Sequence, residues 1–210
     1  MKVNGLRWII LSLIMLVSII NYLDRGTLNY MWVANTKSEY PADRAVYDAA
    51  NGTYVLTAED GTTVVAPADR VAQQADGSYV YTAVGGIAAE LGILDPAMPE
   101  AEFKAQSKKL LADITIFFMI AYGLSQLFSG KLYDRIGTRR GFAFSALLWG
   151  AADAFTAFAA GFKSLTAFRF MLGLGEAGPW PGTTKSNAEW FPTKERALAQ
   201  GLFNASTSVG

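Results

Sequence analysis

Gly130-Lys131-Leu132-Tyr133-Asp134-Arg135-Ile136-Gly137-Thr138-Arg139-Arg140-Gly141 joins two apolar runs, ITIFFMIAYGLSQLFS at 114–129 and FAFSALLWGAADAFTAFAA at 142–160. Each run is near the roughly 20 residues that a helix needs to cross the hydrocarbon core of a bilayer. The link between them is too short to carry structure of its own and is rich in Lys and Arg. Short basic loops mark the cytoplasmic side of membrane proteins, so this link predicts two antiparallel spans meeting at the inner face.

Working outward, further spans are expected at 8–32 and 164–188, beside those at 113–132 and 141–161. A fifth begins near Arg196 and stops at Gly210, which suggests that the chain continues beyond this sequence. Lys2 and Arg7 precede the first span, and Lys185, Lys194 and Arg196 follow the fourth. The link after the third has only Lys163. Alternate links are basic, which predicts a cytoplasmic N-terminus. The first span also fits a signal peptide, with Lys2 and Arg7 as its basic head, but no A-x-A site follows. Its apolar run continues instead through Asn21-Tyr22-Leu23-Asp24-Arg25.

Hydrophobic residues make up 51% of the chain and charged ones 17%, with a net charge of zero, so nothing points to nucleic acid. The sequence has no cysteine, which removes disulfide and thiol chemistry, and no histidine, the commonest general base and zinc ligand. No G-x-S-x-G or phosphate-binding glycine loop is present to suggest an enzyme, and no metal site or cofactor is expected.

Between the first two spans, residues 34–111 are polar, with eleven acids against six bases. Asn51-Gly52-Thr53-Tyr54-Val55-Leu56-Thr57-Ala58 is echoed by Asp76-Gly77-Ser78-Tyr79-Val80-Tyr81-Thr82-Ala83, an internal repeat of period 25. Strand-like TYVLTA and TTVVA flank Glu59-Asp60-Gly61, a hairpin signal, and Asp76-Gly77 suits a second turn. A small β-rich extracytoplasmic lobe is therefore expected. Residues 86–111 read as helix, broken at Pro96 and Pro99. The lobe reads either as a lid or partner-binding module, or as an insertion tolerated in an exposed loop.

Ionisable residues inside spans are costly and by default suggest a site. Asp24, Arg25, Asp153, Arg169 and Glu176 are of this kind. Arg169 and Glu176 are seven residues apart, nearly two helical turns, and so share a face. With the fourth span running opposite to the first, two bases and two acids are expected at overlapping depth. An Arg fork grips a carboxylate or phosphate, and carboxyl groups beside it can carry protons. The alternative is a pair of salt bridges that glue helices. Asp153 has no base within a turn or two, and is expected at an interface or facing water. Gly173, Gly175, Gly178 and Gly182 predict close helix approach, and Gly178-Pro179-Trp180-Pro181-Gly182 predicts a distorted helix.

The link at 130–141 resembles the signature loop G-x-L-x-D-R-x-G-x-R-R of the major facilitator superfamily, a fold of twelve helices in two six-helix halves. Asn21-Tyr22-Leu23-Asp24-Arg25, the stretch from Arg169 through Glu176 to Gly182, and Ala188-Glu189-Trp190-Phe191-Pro192 with Lys194-Glu195-Arg196 are similar to its anion:cation symporter branch, which includes hexuronate, galactonate and glucarate transporters and sialin-like proteins. The resemblance covers 1–33 and 112–210 and leaves the insertion aside. It implies an all-α polytopic fold, divided as span one at 1–33, an insertion at 34–111, and spans two to four with the start of a fifth at 112–210.

It also implies roles. Asp24 and Glu176 correspond to proton-coupling acids, and Arg25 to the residue that binds the substrate carboxylate. Arg169 is expected to tune the acids or share the anion, and Tyr22 and Tyr122 to line the sugar site. Gln126 and Asn204 are expected to meet sugar hydroxyls, resting mainly on their polarity in apolar helices; interhelical hydrogen bonding is the other reading. Gly130 is expected to let helices pack closely, and Asp134, Arg135, Gly137, Arg139 and Arg140 to form a network that shuts the inner face. Together these imply import of a sugar acid by proton symport, with sodium as an alternative ion, across a bacterial inner membrane. The partners implied are the substrate, the lipid bilayer and a second half of the same chain. An exchanger of organic phosphates has no need of the two acids. A membrane-anchored sensor using the outer lobe leaves the loop motif and buried charges without a role.

Overall fold

The computed structural model describes residues 5–32, 34–95 and 98–209. In chain order the elements are α1 (Leu6–Trp32), β1 (Ala34–Ala42), β2 (Arg44–Asp48), β3 (Thr53–Thr57), β4 (Thr63–Pro67), β5 (Val71–Gln73), β6 (Tyr79–Gly85), α2 (Ile87–Glu90), α3 (Glu100–Ile136), α4 (Thr138–Thr156), α5 (Phe162–Glu176), α6 (Pro179–Trp190) and α7 (Thr193–Ser206). Contacts divide the chain into a helical unit, 1–28 with 113–210, and a second unit, 29–112, which contains the expected insertion.

In the helical unit, α1 buries one narrow stripe. Leu11, Ile14, Ser18, Asn21 and Leu28 are buried and Arg25 is half-buried, at alternating spacings of three and four. Ile9, Leu13, Leu16, Ile20 and Leu23 on its other faces are exposed. Leu127, Phe128 and Leu147 on α3 and α4 are likewise exposed. Apolar surface this extensive suits lipid rather than water. By length and composition α1 and α3 can each cross a membrane. The 19 residues of α4 rise about 28 Å, close to the same thickness.

The fourth expected span forms α5 and α6. Pro179 and Pro181 supply no N–H to the helical ladder, yet Ala177 and Gly178 keep right-handed helical angles, and the ladder resumes as Gly182 N donates to Gly178 O at 3.1 Å. The predicted distortion is thus a break in hydrogen bonding along a helical path.

Glycines set the helix separations. A Cβ at Gly173 would lie 2.5 Å from Phe118 O on α3, and one at Gly175 2.6 Å from Trp149 N on α4. One at Gly182 would lie 2.4 Å from the ring of Tyr133. The packed residues are Phe118, Trp149, Ala152 and Leu172, joining α3, α4 and α5. A second cluster of Leu11, Ile14, Phe191, Ala199 and Phe203 joins α1 to α7. Gly130 departs from expectation, because a Cβ there meets open space. Close approach at that end falls instead to Gly141 and Gly182, both against Tyr133.

The second unit holds two three-stranded antiparallel sheets, ordered β2-β3-β4 and β1-β6-β5. The period-25 repeat is a structural one. Its two copies supply the central strands β3 and β6, each entered through a glycine with positive φ, Gly52 at 65° and Gly77 at 88°. The equivalent residues Leu56 and Tyr81 are both buried in one core with Ala42 and Ala66. Both expected hairpins form, across 58–62 and 74–78.

Strands β1 and β2 have no clear apolar alternation and are missing from the sequence reading. β1 lies at a sheet edge, where Pro41 is tolerated. The helix expected over 86–111 is realised in pieces, as the four-residue α2 and the start of α3 directly after Pro99. Pro96 lies outside the described residues. At the start of α3, Asp69 Oδ2 accepts from Glu100 N at 2.8 Å, and Trp32 Nε1 donates to Ser107 O at 3.0 Å. α3 then runs unbroken for 37 residues.

Candidate functional site

Four helices of the helical unit bring the intramembrane charges together. Arg25 projects from the buried stripe of α1. Its Nε donates to Glu176 Oε2 at 2.5 Å, and Glu176, at the end of α5, is 0% exposed. The Arg25 guanidinium sits among three rings, 4.9 Å from Tyr22, 5.4 Å from Phe118 and 4.6 Å from Tyr122. Such contacts contribute about 0.5–2 kcal/mol each, depending on desolvation. They hold the cation among aromatic faces, and Tyr122 also interacts with it as a hydrogen-bond partner. Arg25 Nη2 and Glu176 Oε1 are buried and have no hydrogen-bond partner in the protein. Each partner of the pair therefore keeps one unsatisfied buried atom.

Beside it lies a second group that the sequence reading did not assemble. Trp149 Nε1, on α4, donates to Asp24 Oδ2 at 3.0 Å and to Asp153 Oδ2 at 2.9 Å. Asp153, expected at an interface or facing water, is half-buried and shares the indole N–H with Asp24. Arg169, 8% exposed on α5, interacts electrostatically with Asp153, Glu176 and Asp24. The base that acts on Asp153 is Arg169, from another helix and sixteen residues on, beyond the turn or two within which none was found. Of the two salt bridges weighed as helix glue, one forms, between Glu176 and Arg25; Asp24 is held by an indole instead.

The other expected residues divide. Tyr22 and Tyr122 belong to the Arg25 cage. Gln126 lies one turn beyond Tyr122 on α3 and is exposed. Asn204 is exposed on α7, where it accepts from Gln200 at 3.4 Å, and Gln200 accepts from Asn187 at 3.0 Å. That amide chain ties α6 to α7 and does not touch the charge cluster. Phe118 and Trp149 were missed; their i−4 spacing to Tyr122 and Asp153 is the signal that was there to read.

At the other end of α3 the motif is more compact than a loop. Residues 130–136 are helical, and Gly137, with φ +83°, is the single residue between α3 and α4. Any side chain there would be strained. Asp134 pairs with Lys185 of α6 at 2.8 Å. Arg135, Arg139 and Arg140 are exposed, so among the described residues the ion pair of Asp134 is with Lys185 and not with the arginines of its own motif. Tyr133 is buried, bonds Ser145 at 3.2 Å and packs on Phe142, fixing α3 against α4. Nearby, Arg7 pairs with Glu195 at 3.1 Å, joining α1 to α7.

A family model described as Major Facilitator Superfamily matches residues 75–210. A galacturonate transporter of Dickeya chrysanthemi and a hexuronate transporter of Escherichia coli (strain K12) are each 38% identical over 93 residues. Those residues are 44% of this chain, and 27% and 22% of the two relatives. A probable sulfoacetate transporter of Cupriavidus necator is 33% identical over 93 residues, 44% of this chain and 22% of its own length. The matched stretch thus spans about a quarter of these curated relatives. With the family model covering more than half of its residues, and the one-glycine turn and buried charges set in apolar helices, the chain belongs to the major facilitator superfamily.

Proposed function

We propose that this chain forms the anion- and proton-binding wall of a secondary active transporter that imports a sugar acid of the hexuronate or aldonate type by proton symport. The carrying observation is the half-used Arg25. Its Nε is committed to Glu176, while Nη2 is buried without a partner among Tyr22, Phe118 and Tyr122. A guanidinium with an open edge in an apolar cage suits a substrate carboxylate, which it can grip with two parallel bonds. In this reading Tyr22, Tyr122 and Gln126 meet hydroxyls of the same substrate, and the aromatic faces suit a sugar ring.

The ion pair supplies the coupling. While Glu176 is ionised it competes with the substrate for Arg25. Protonation of Glu176 removes that competitor and lets Arg25 turn its charge to the incoming anion. Release of the proton on the other side restores the pair and expels the substrate. In facilitators the site lies between two helical repeats, so this wall faces a second half. The names of the relatives, which include transporters of galacturonate, hexuronate and sulfoacetate, share an organic anion and agree with Arg25 as its receptor. In this reading the N-terminus is cytoplasmic and the β unit lies outside a bacterial inner membrane, which the alternation of basic links supports.

The full-length protein in sealed vesicles should acidify the lumen when one of glucuronate, galacturonate, galactonate or glucarate is added outside. Glu176→Gln should abolish the acidification. Counterflow of a labelled organic phosphate, with no proton movement, would instead make the protein an exchanger.

A further inference from the structure

We infer that Asp153 is a further proton-binding residue of this site, holding one proton jointly with Asp24 across the N–H of Trp149. The indole has a single N–H, yet both Asp24 Oδ2 and Asp153 Oδ2 lie on it, at 3.0 and 2.9 Å. The two oxygens are therefore at most 5.9 Å apart. Two carboxylates this close repel one another, which favours a single proton held between them.

The countercharges are too few to hold both ionised. The charged groups that act on the pair are Arg169 and Glu176, both from α5, and Glu176 is itself paired with Arg25 of α1. That leaves Arg169, which is buried and has its Nε without a hydrogen-bond partner, to serve both Asp24 and Asp153. Three carboxyl groups against two guanidinium groups leave one negative charge in excess. A proton shared by Asp24 and Asp153 removes it, and the indole N–H can bond whichever oxygen stays unprotonated. The site then has room for two protons, one on the pair and one on Glu176. The assignment bears on transport through the proton-coupled reading above, but the proton itself can be observed without transport.

Infrared difference spectra between neutral and alkaline protein report protonated carboxyl groups directly. The wild type should show a carboxylic-acid band that is lost in both Asp153→Asn and Asp24→Asn and shifted in Trp149→Phe. Persistence of the band in Asp153→Asn, with loss only in Asp24→Asn, would overturn the shared proton. If Asp153→Asn does not fold, the tryptophan emission of the wild type decides. Its pH-dependent part should vanish in Trp149→Phe, and emission that responds to pH equally in both proteins would overturn the inference. Vesicles that fail to acidify with any sugar acid would sink the transport reading and leave the band in place.

Discussion

The carboxylates of the two units are satisfied in opposite ways. In the β unit, Asp48 accepts from Asn51 Nδ2 at 2.7 Å, Asp60 from Thr62 N at 2.8 Å, and Asp76 from Ser78 Oγ at 2.6 Å. Each partner is two or three residues away, Asp60 and Asp76 are exposed and Asp48 partly so, and these bonds hold all three acids below the usual carboxylate range. In the helical unit, Asp24 meets Trp149 across 125 residues, and Glu176 meets Arg25 across 151. Local acids shape turns and ask little of the rest of the fold. Distant acids depend on helix packing, and Glu176, fully buried, keeps Oε1 unsatisfied, which is the condition for taking a ligand or a proton.

The largest effect should come from splitting the buried pair. Arg25→Leu leaves Glu176 as a buried carboxylate without its cation, a loss of about 3–5 kcal/mol. Adding Glu176→Leu should recover most of it. Thermal unfolding of the purified variants checks this, and equal loss in single and double variants would show that the pair is not the source. Next comes the packing that aligns the site. Gly175→Ala forces a Cβ toward the backbone of Trp149 and should cost about 1–3 kcal/mol. Gly123→Ala, which meets open space, should be neutral or slightly stabilising. The same unfolding measurement compares them.

The smallest effect belongs to the turn acids. Because the folded forms of Asp60 and Asp76 titrate below their unfolded values, their contribution is present above about pH 4 and disappears as pH falls through the folded values. Asp60→Ala should shift Tm by about 2 °C or less at neutral pH. It should also flatten the acid limb of the stability profile.

The same contrast explains what could be read in advance. The Asp60-Gly61 and Asp76-Gly77 turns, the glycine face of α5 and α6, and the helix-forming runs are written in short-range spacing, and each forms. So does the shared face of Arg169 and Glu176, since it needs only helical periodicity. The partner of Glu176, however, depends on how α1 lies against α5, and the role of Asp153 depends on α4 presenting Trp149 to α1. Neither juxtaposition is encoded within one helix. Asp134 shows the same limit. Its motif suggested arginines nearby in sequence, and the structure supplies Lys185 from α6.

Calorimetric titration of the full-length protein with a sugar acid, in two buffers of different ionisation enthalpy, addresses the Arg25–Glu176 site most directly. Binding should take up protons, seen as a heat that depends on the buffer. The uptake should fall in Glu176→Gln, and binding should be lost in Arg25→Leu. Buffer-independent heats with undiminished binding in Arg25→Leu would contradict both the anion site and its coupling to the proton.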